Sequence, residues 1–78
     1  MKPTGWIVRA EGMVLCTDRR WRTKAAGIED IKVYRHVKTL FRHAKAPVGH
    51  GYVEAFALYP GTVIDCCGNI VSYARGDA

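Results

Sequence analysis

DIKVYRHVKTLFRHAK, residues 30–45, is the segment with the strongest structural signal in this chain. When successive residues are placed about 100° apart, apolar side chains gather on one side and basic side chains on the other. The apolar side contains Val33, Tyr34, Val37, Leu40, Phe41 and Ala44. Acidic residues come just before this segment and Pro47 comes just after it, as the ends of a helix require. The spacing therefore predicts an amphipathic helix over residues 30–45.

One residue of this segment does not fit a helix. Ile31 falls on the basic side of the helical projection, in what would be the first turn. A competing interpretation is a short strand from Ile31 to Arg35 followed by a shorter helix.

The residues before this segment have the pattern of a β-hairpin. Trp6–Arg9 and Met13–Cys16 are short runs of strand-forming residues, and the Glu11–Gly12 pair between them is typical of a tight turn. Residues 19–27 show no clear periodicity, and we expect a loop there with at most a turn of structure around Trp21.

The second half of the chain is rich in strand-forming residues. Strands are predicted over Tyr52–Tyr59, Thr62–Cys66 and Ile70–Ala74, with turns at Pro60-Gly61 and Gly68-Asn69. Residues 75–78 are expected to form a frayed tail. An amphipathic helix must bury its apolar side, and an antiparallel sheet is the surface available. We therefore predict one α+β domain over residues 1–78, with four to five antiparallel strands packed on one helix in the order ββ-α-βββ.

Positive charge is concentrated in the middle of the sequence. The chain has 12 basic and 7 acidic residues, a net charge of +5, and nine of the basic residues lie between Arg19 and Lys45 against two acidic ones. Because the charge is concentrated, it suggests a polyanionic partner. The residues expected to bind such a partner are Arg19, Arg20, Trp21, Arg22, Lys24, Lys32, Arg35, Lys38, Arg42 and Lys45.

Basic residues along a helix can neutralise phosphates, and an aromatic ring can stack on a base. A helix over residues 30–45 would direct Tyr34 and Phe41 into the core, which leaves Trp21 as the aromatic residue expected to meet a base. The alternative is that the charged side of the helix serves only solubility. Whether the loop around Trp21 and the helix form one surface decides between these interpretations.

Composition places the chain among ordinary globular proteins, with 49% hydrophobic and 24% charged residues. No apolar run is long enough to cross a bilayer, so no membrane association is predicted. Three cysteines are an odd number, which favours reduced thiols over a disulfide scaffold. We expect a cytoplasmic protein that is a monomer or a homodimer.

Chemical motifs for catalysis or metal binding are weak. The histidines and cysteines show no CxxC, HxxxH or CxxH spacing, so neither a metal site nor a cofactor is predicted. His50, Asp65 and a cysteine could form a Cys-His-Asp set only if the fold brings them together. A small metal-binding protein or enzyme is kept as the third interpretation, and the expectation is a protein that is not an enzyme.

The run from Gly5 to Leu15, GWIVRAEGMVL, followed by a basic amphipathic segment, resembles short proteins encoded by phages and mobile elements, anti-CRISPR proteins among them. The resemblance covers about the first half of the chain and concerns size, layout and the placement of Trp and Gly. It implies a binding protein that inhibits a host defence complex. Many such inhibitors are acidic and resemble DNA, whereas this chain is basic. The resemblance therefore implies contact with an acidic protein surface or competition near guide RNA.

Two functions follow from these observations. The first is a non-catalytic binding protein from a mobile element, whose basic helix surface blocks a host protein or ribonucleoprotein complex that handles nucleic acid. The second is direct binding of nucleic acid with little sequence preference.

Overall fold

A computed structural model describes residues 2–47 and 51–72 of the chain. Along these residues the elements are β1 (Gly5–Ala10), β2 (Met13–Leu15), β3 (Trp21–Arg22), a 3-10 turn (Ile28–Asp30), α1 (Val37–His43), β4 (Glu54–Leu58), β5 (Val63–Ile64) and β6 (Ile70–Ser72). The α+β class predicted from the sequence is confirmed.

The main sheet has four antiparallel strands in the order β3-β2-β1-β4. The turn between β1 and β2 is formed by Glu11 and Gly12, whose φ angles are +51° and +74°. Two successive positive φ angles suit a two-residue hairpin, because the twist of such a turn matches that of the strands. β4 returns along the other side of β1 with Ile7 opposite Phe56. β1 is therefore an interior strand.

Both faces of β1 are buried. Ile7 and Val8 are adjacent and point to opposite faces of the sheet, yet each is fully buried. Ile7 belongs to a cluster with Val14, Cys16 and Ile64 on one face. Val8 belongs to a second cluster on the other face. A single sheet therefore separates two small cores, and each of them needs a cover.

The hairpin of β5 and β6 covers the first core. Ile64 packs against that core, and the turn after it is closed by the Asp65 carboxylate, which accepts the N–H groups of Cys67 and Asn69, both at 2.9 Å. The hydrogen bond from Asn69 is the largest cause that lowers the pKa of Asp65. Gly68 has a φ of +81°, and a Cβ atom there would lie 2.8 Å from Val14 Cγ2. Glycine is therefore required at this turn on two grounds, its backbone conformation and its contact with the sheet.

Helix α1 covers the second core. Its single buried residue, Leu40, is fully buried and packs with Val8 and Leu15. Trp21, Tyr34 and Ala44 lie partly buried around this cluster. The arrangement is three layers, with the helix, the four-stranded sheet and the β5–β6 hairpin stacked in that order.

The helix predicted over residues 30–45 is wrong in its first half. Only residues 37–43 are helical, while Ile31 bridges to Cys16 and Tyr34 bridges to Trp6. The backbone of this part is engaged in tertiary hydrogen bonds: Lys32 N–H donates to Leu15 O at 3.0 Å, and Tyr34 and Trp6 exchange two bonds of 2.7 and 2.8 Å. Because these groups pair with the sheet, they cannot form helical bonds. The competing interpretation, a short strand from Ile31 to Arg35 before a shorter helix, is closer to the structure: the helix is short, but the chain before it makes two isolated bridges and no strand.

Two residues that were expected in the core are exposed in the structure. Val33 and Phe41, both expected on the buried side of the helix, are 46% and 57% exposed. A helix of seven residues makes fewer than two complete turns. It therefore presents little more than Leu40 and its neighbours to the sheet.

The remaining differences are smaller. The predicted loop over residues 19–27 contains the two-residue strand β3, and the last two strands form a separate hairpin beside the main sheet. Tyr73–Ala74 of the last predicted strand, the predicted tail and His50 lie outside the described residues. Within residues 2–47 and 51–72, no helix has the length and apolar content that a bilayer crossing demands.

Substitution of Leu40 and Phe41 tests how α1 packs on the sheet. Leu40→Ala should lower the free energy of unfolding by about 2–5 kcal/mol, because it empties the only fully buried position contributed by α1. Phe41→Ala should cost less than about 1 kcal/mol, since the ring is already more than half exposed. Urea unfolding followed by circular dichroism measures both. Equal losses for the two variants would contradict the observed packing of α1.

Candidate nucleic-acid interface

A tight turn between β2 and β3 positions Arg19. Arg19 has a φ of +66°, in the left-handed region, and its N–H donates to Cys16 O at 2.9 Å. Cys16 N–H in turn donates to Arg20 O at 3.0 Å, and Asp18 Oδ1 accepts the N–H of Arg20. These bonds within the turn hold a conformation that residues other than glycine adopt rarely. Arg19 therefore projects from a defined backbone, although it lies in a segment predicted as a loop.

The indole of Trp21 joins this turn to the end of the helix. Its Nε1–H donates to the backbone oxygen of Lys45 at 3.0 Å, a contact between residues 24 positions apart. The ring also packs against the core cluster beneath α1. Trp21 thus links β3 with the residues that follow His43, the last residue of α1. Trp21 is partly exposed but also has a structural role, which the sequence alone did not indicate.

The extended chain before α1, residues 31–35, forms a further part of the candidate site, in addition to the β2–β3 turn and the end of α1. Lys32 and Tyr34 are held by the backbone bonds to β2 and β1 already described. The Lys32 ammonium lies 5.2 Å from the centroid of the Tyr34 ring, within the range of a cation–π contact. Arg35 follows at the point where the chain turns into the helix and is exposed.

These parts enclose two adjoining depressions of about 280 and 360 Å³. Arg19, Tyr34 and His43 line both of them. We call the combined surface the basic groove. Its polar and aromatic lining consists of Arg19, Trp21, Lys32, Tyr34, Arg35, Thr39, His43 and Lys45.

The basic groove carries uncompensated positive charge. Four cations line it, and no carboxylate from the described residues does. Within residues 2–47 and 51–72, none of these four side chains forms an ion pair. Cations that surround a depression without counter-charges create a positive potential there. The groove is suited to hold an anion with several charges, and its chemistry matches phosphate groups.

Two of the predicted binding residues belong to a different surface. Arg22 donates to Asp18 at 2.7 Å in a salt bridge, and the bond to Arg22 is the largest cause that lowers the pKa of Asp18. Arg22 and Lys24 line a separate depression that also contains Asp18 and Asp30. Since two carboxylates balance two cations there, this surface is not a basic site.

Three further predicted residues also lie away from the groove. Lys38 lines another depression, beside Lys2 and Trp6, which shares Arg35 with the groove, while Arg20 and Arg42 are exposed and line neither the groove nor these other depressions. Of the ten predicted binding residues, the fold brings five together: Arg19, Trp21, Lys32, Arg35 and Lys45.

Three polar or aromatic groove residues are not among the predicted binding residues. A helix over residues 30–45 would direct Tyr34 into the core, and neither Thr39 nor His43 is expected to bind. The β-branched residues Ile31 and Val33 were the signal that favoured extended chain and would have moved Tyr34 toward the surface. The expectation that Tyr34 and Phe41 both point into the core is therefore wrong, since Tyr34 is only partly buried and lines the groove, and Phe41 is exposed.

The cysteines and histidines do not gather into a reactive cluster among the described residues. No group of three or more His, Cys, Asp or Glu side chains in residues 2–47 and 51–72 could hold a metal ion. Burial, followed by the charge of Asp18, raises the pKa of the Cys16 thiol. A raised pKa keeps a thiol protonated and reduces its nucleophilicity. The set that would include His50 falls outside the described residues.

Comparison of the chain with protein-family models, with curated proteins and with solved structures gave no match. The interpretation of the groove therefore depends on its own geometry and charge.

The bond from Trp21 to Lys45 can be tested directly. Trp21→Phe should lower the free energy of unfolding by about 0.5–1.5 kcal/mol more than Trp6→Phe does, because it also removes a hydrogen bond. Trp6 is a matched control, since its indole donates to no atom of the described residues and it also packs beside α1. Urea unfolding gives the two values. In the wild-type protein, NMR should show slower solvent exchange for the Trp21 indole proton than for that of Trp6, and equal exchange would contradict the bond.

Proposed function

We propose that the protein binds nucleic acid through the basic groove and catalyses no reaction. In this proposal Arg19, Lys32, Arg35 and Lys45 contact successive phosphates. Contacts to phosphates carry little sequence information, so binding would be largely independent of sequence.

One observation carries the proposal. The hydrogen bond from Trp21 to Lys45 ties the β2–β3 turn to the end of α1, so that cations distant in sequence line one depression without a carboxylate. A surface kept charged only for solubility mixes charges of both signs, as around Asp18 and Arg22. Four cations spread over two adjoining depressions, with no carboxylate of the described residues lining either, match the charge of a polyphosphate.

A second candidate function is a mobile-element protein that blocks an acidic surface of a host protein or ribonucleoprotein complex. Two exposed apolar side chains favour it: Val33 lines the groove, and Phe41 lies on the adjacent helix. Protein interfaces combine apolar and aromatic side chains with arginine, whereas phosphate binding needs only the cations. In this case the groove would face acidic side chains of a partner instead of phosphates.

Charge reversal inside the groove tests the first function. The triple variant Arg19→Glu, Lys32→Glu, Lys45→Glu should lower the affinity for a fluorescently labelled oligonucleotide at least about hundredfold, because it replaces attraction by repulsion at three phosphate contacts. For the wild-type protein, the logarithm of the affinity should fall with the logarithm of salt with a slope of about −3, given four cations and a single strand. Fluorescence anisotropy measures both quantities.

The matched control reverses the same number of charges outside the groove. Lys2→Glu, Lys24→Glu, Arg42→Glu changes the net charge from +5 to −1, as the groove triple does, but alters no groove residue. It should retain affinity within about tenfold. If both triples lost affinity equally, binding would follow net charge alone, and the groove would not be the site. A flat salt dependence of the wild-type protein would reject nucleic-acid binding.

Capture of a partner from host lysate tests the second function. The tagged protein should then capture a host protein from nuclease-treated lysate, and Phe41→Ser should weaken that capture more than tenfold while leaving oligonucleotide binding unchanged. Capture that disappears after nuclease treatment would instead indicate that nucleic acid bridges the two proteins.

A further inference from the structure

We infer that the basic groove accepts a single strand of nucleic acid, in which one base stacks on the ring of Tyr34 while Lys32 moves from that ring to a phosphate. This inference rests on the proposed function, since it specifies the form of nucleic acid that the groove would take.

The shape of the groove argues against a duplex. The two depressions, about 280 and 360 Å³, are on the scale of pockets that enclose small molecules. Proteins that bind a duplex usually insert a protruding helix or a two-stranded ribbon into its grooves. In this chain the cations line concave depressions, and α1 spans only seven residues. An open depression of this size can hold an unpaired base, whereas a duplex buries the faces of its bases by stacking.

The position of Tyr34 is fixed by its backbone and by its packing, as a ring that stacks on a base requires. Its backbone is fixed to β1 by the two hydrogen bonds exchanged with Trp6. Tyr34 packs against the core cluster of Val8, Leu15 and Leu40 and remains partly exposed in the groove. A ring supported from beneath and fixed at its backbone loses little freedom when a base stacks on it.

Lys32 covers the ring in the unbound protein. Its ammonium lies 5.2 Å from the ring centroid and has no carboxylate partner among the described residues. A cation–π contact at an exposed position is weak, whereas a phosphate offers Lys32 a full opposite charge. A strand that enters the groove would thus attract Lys32 to its backbone and at the same moment free the ring for a base. Alternating cations and aromatic rings are the usual features of proteins that bind single strands without sequence preference.

The test compares one sequence in two forms. A labelled strand of about 15 nucleotides and its duplex are titrated against the wild-type protein, Tyr34→Leu and Tyr34→Phe, with fluorescence anisotropy as the readout. The wild-type protein should bind the single strand at least about tenfold more tightly than the duplex. Tyr34→Leu should lower single-strand affinity by about ten- to hundredfold and leave duplex affinity unchanged, because it removes the ring but no charge. Tyr34→Phe keeps the ring and should bind as the wild-type protein does.

The outcomes separate this inference from the function on which it rests. Equal affinity for strand and duplex, with no effect of Tyr34→Leu, would overturn the inference and leave nucleic-acid binding intact. No affinity for either form would overturn both. If Tyr34→Leu does not fold, photo-crosslinking of the wild-type protein to a strand containing 5-iodouridine replaces it. An adduct mapped to Tyr34 by mass spectrometry supports the inference, and adducts that map only to other residues overturn it.

Discussion

The pair of backbone hydrogen bonds between Trp6 and Tyr34 is the constraint on which the surrounding structure depends. The bonds hold residues 31–35 in an extended conformation beside β1, so the helix begins only at Val37. Together with the bond from Lys32 N–H to Leu15 O, they fix the path of the chain between the 3-10 turn and the start of α1. Lys32, Tyr34 and Arg35 consequently stand opposite Arg19 across a depression. Had these residues continued the helix, their backbone groups would have been bonded within it, and that wall of the groove would not exist.

Much of the fold could be predicted from the sequence because short-range patterns determine it. Glu11 and Gly12 marked the first hairpin, and the apolar runs near residues 54–58 and 63–72 marked the later strands. The sequence left the start of the helix open between two interpretations, because the helical spacing of residues 33–44 competes with the β-branched residues Ile31 and Val33, which favour extended chain. Only pairing with β1, a long-range interaction, decides between them. A local propensity of a few tenths of a kcal/mol per residue cannot outweigh two tertiary hydrogen bonds.

The sequence indicated the types of residue in the candidate site but not how the fold arranges them. The concentration of charge between residues 19 and 45 indicated the region that contains the basic groove, but five of the nine basic residues there do not line it. Charge counts along a sequence do not reveal that Asp18 neutralises Arg22, since that depends on the turn between β2 and β3. The contact of Trp21 with Lys45 was equally hidden, because nothing local relates residues so far apart. Which cations act together is a property of the fold.

The central position of β1 has a consequence for synthesis of the protein. β1 is synthesised before the other described strands, yet its pairing partner β4 lies about fifty residues later. α1, which covers one face, is made before β4, and the β5–β6 hairpin, which covers the other face, is made after it. Until β4 and the final hairpin are available, Ile7 and Val8 remain exposed on a nascent chain, and folding must close a long loop before it gains their burial. The groove residues are all synthesised before that closure. We therefore expect the groove to become ordered late, when the last third of the chain has left the ribosome.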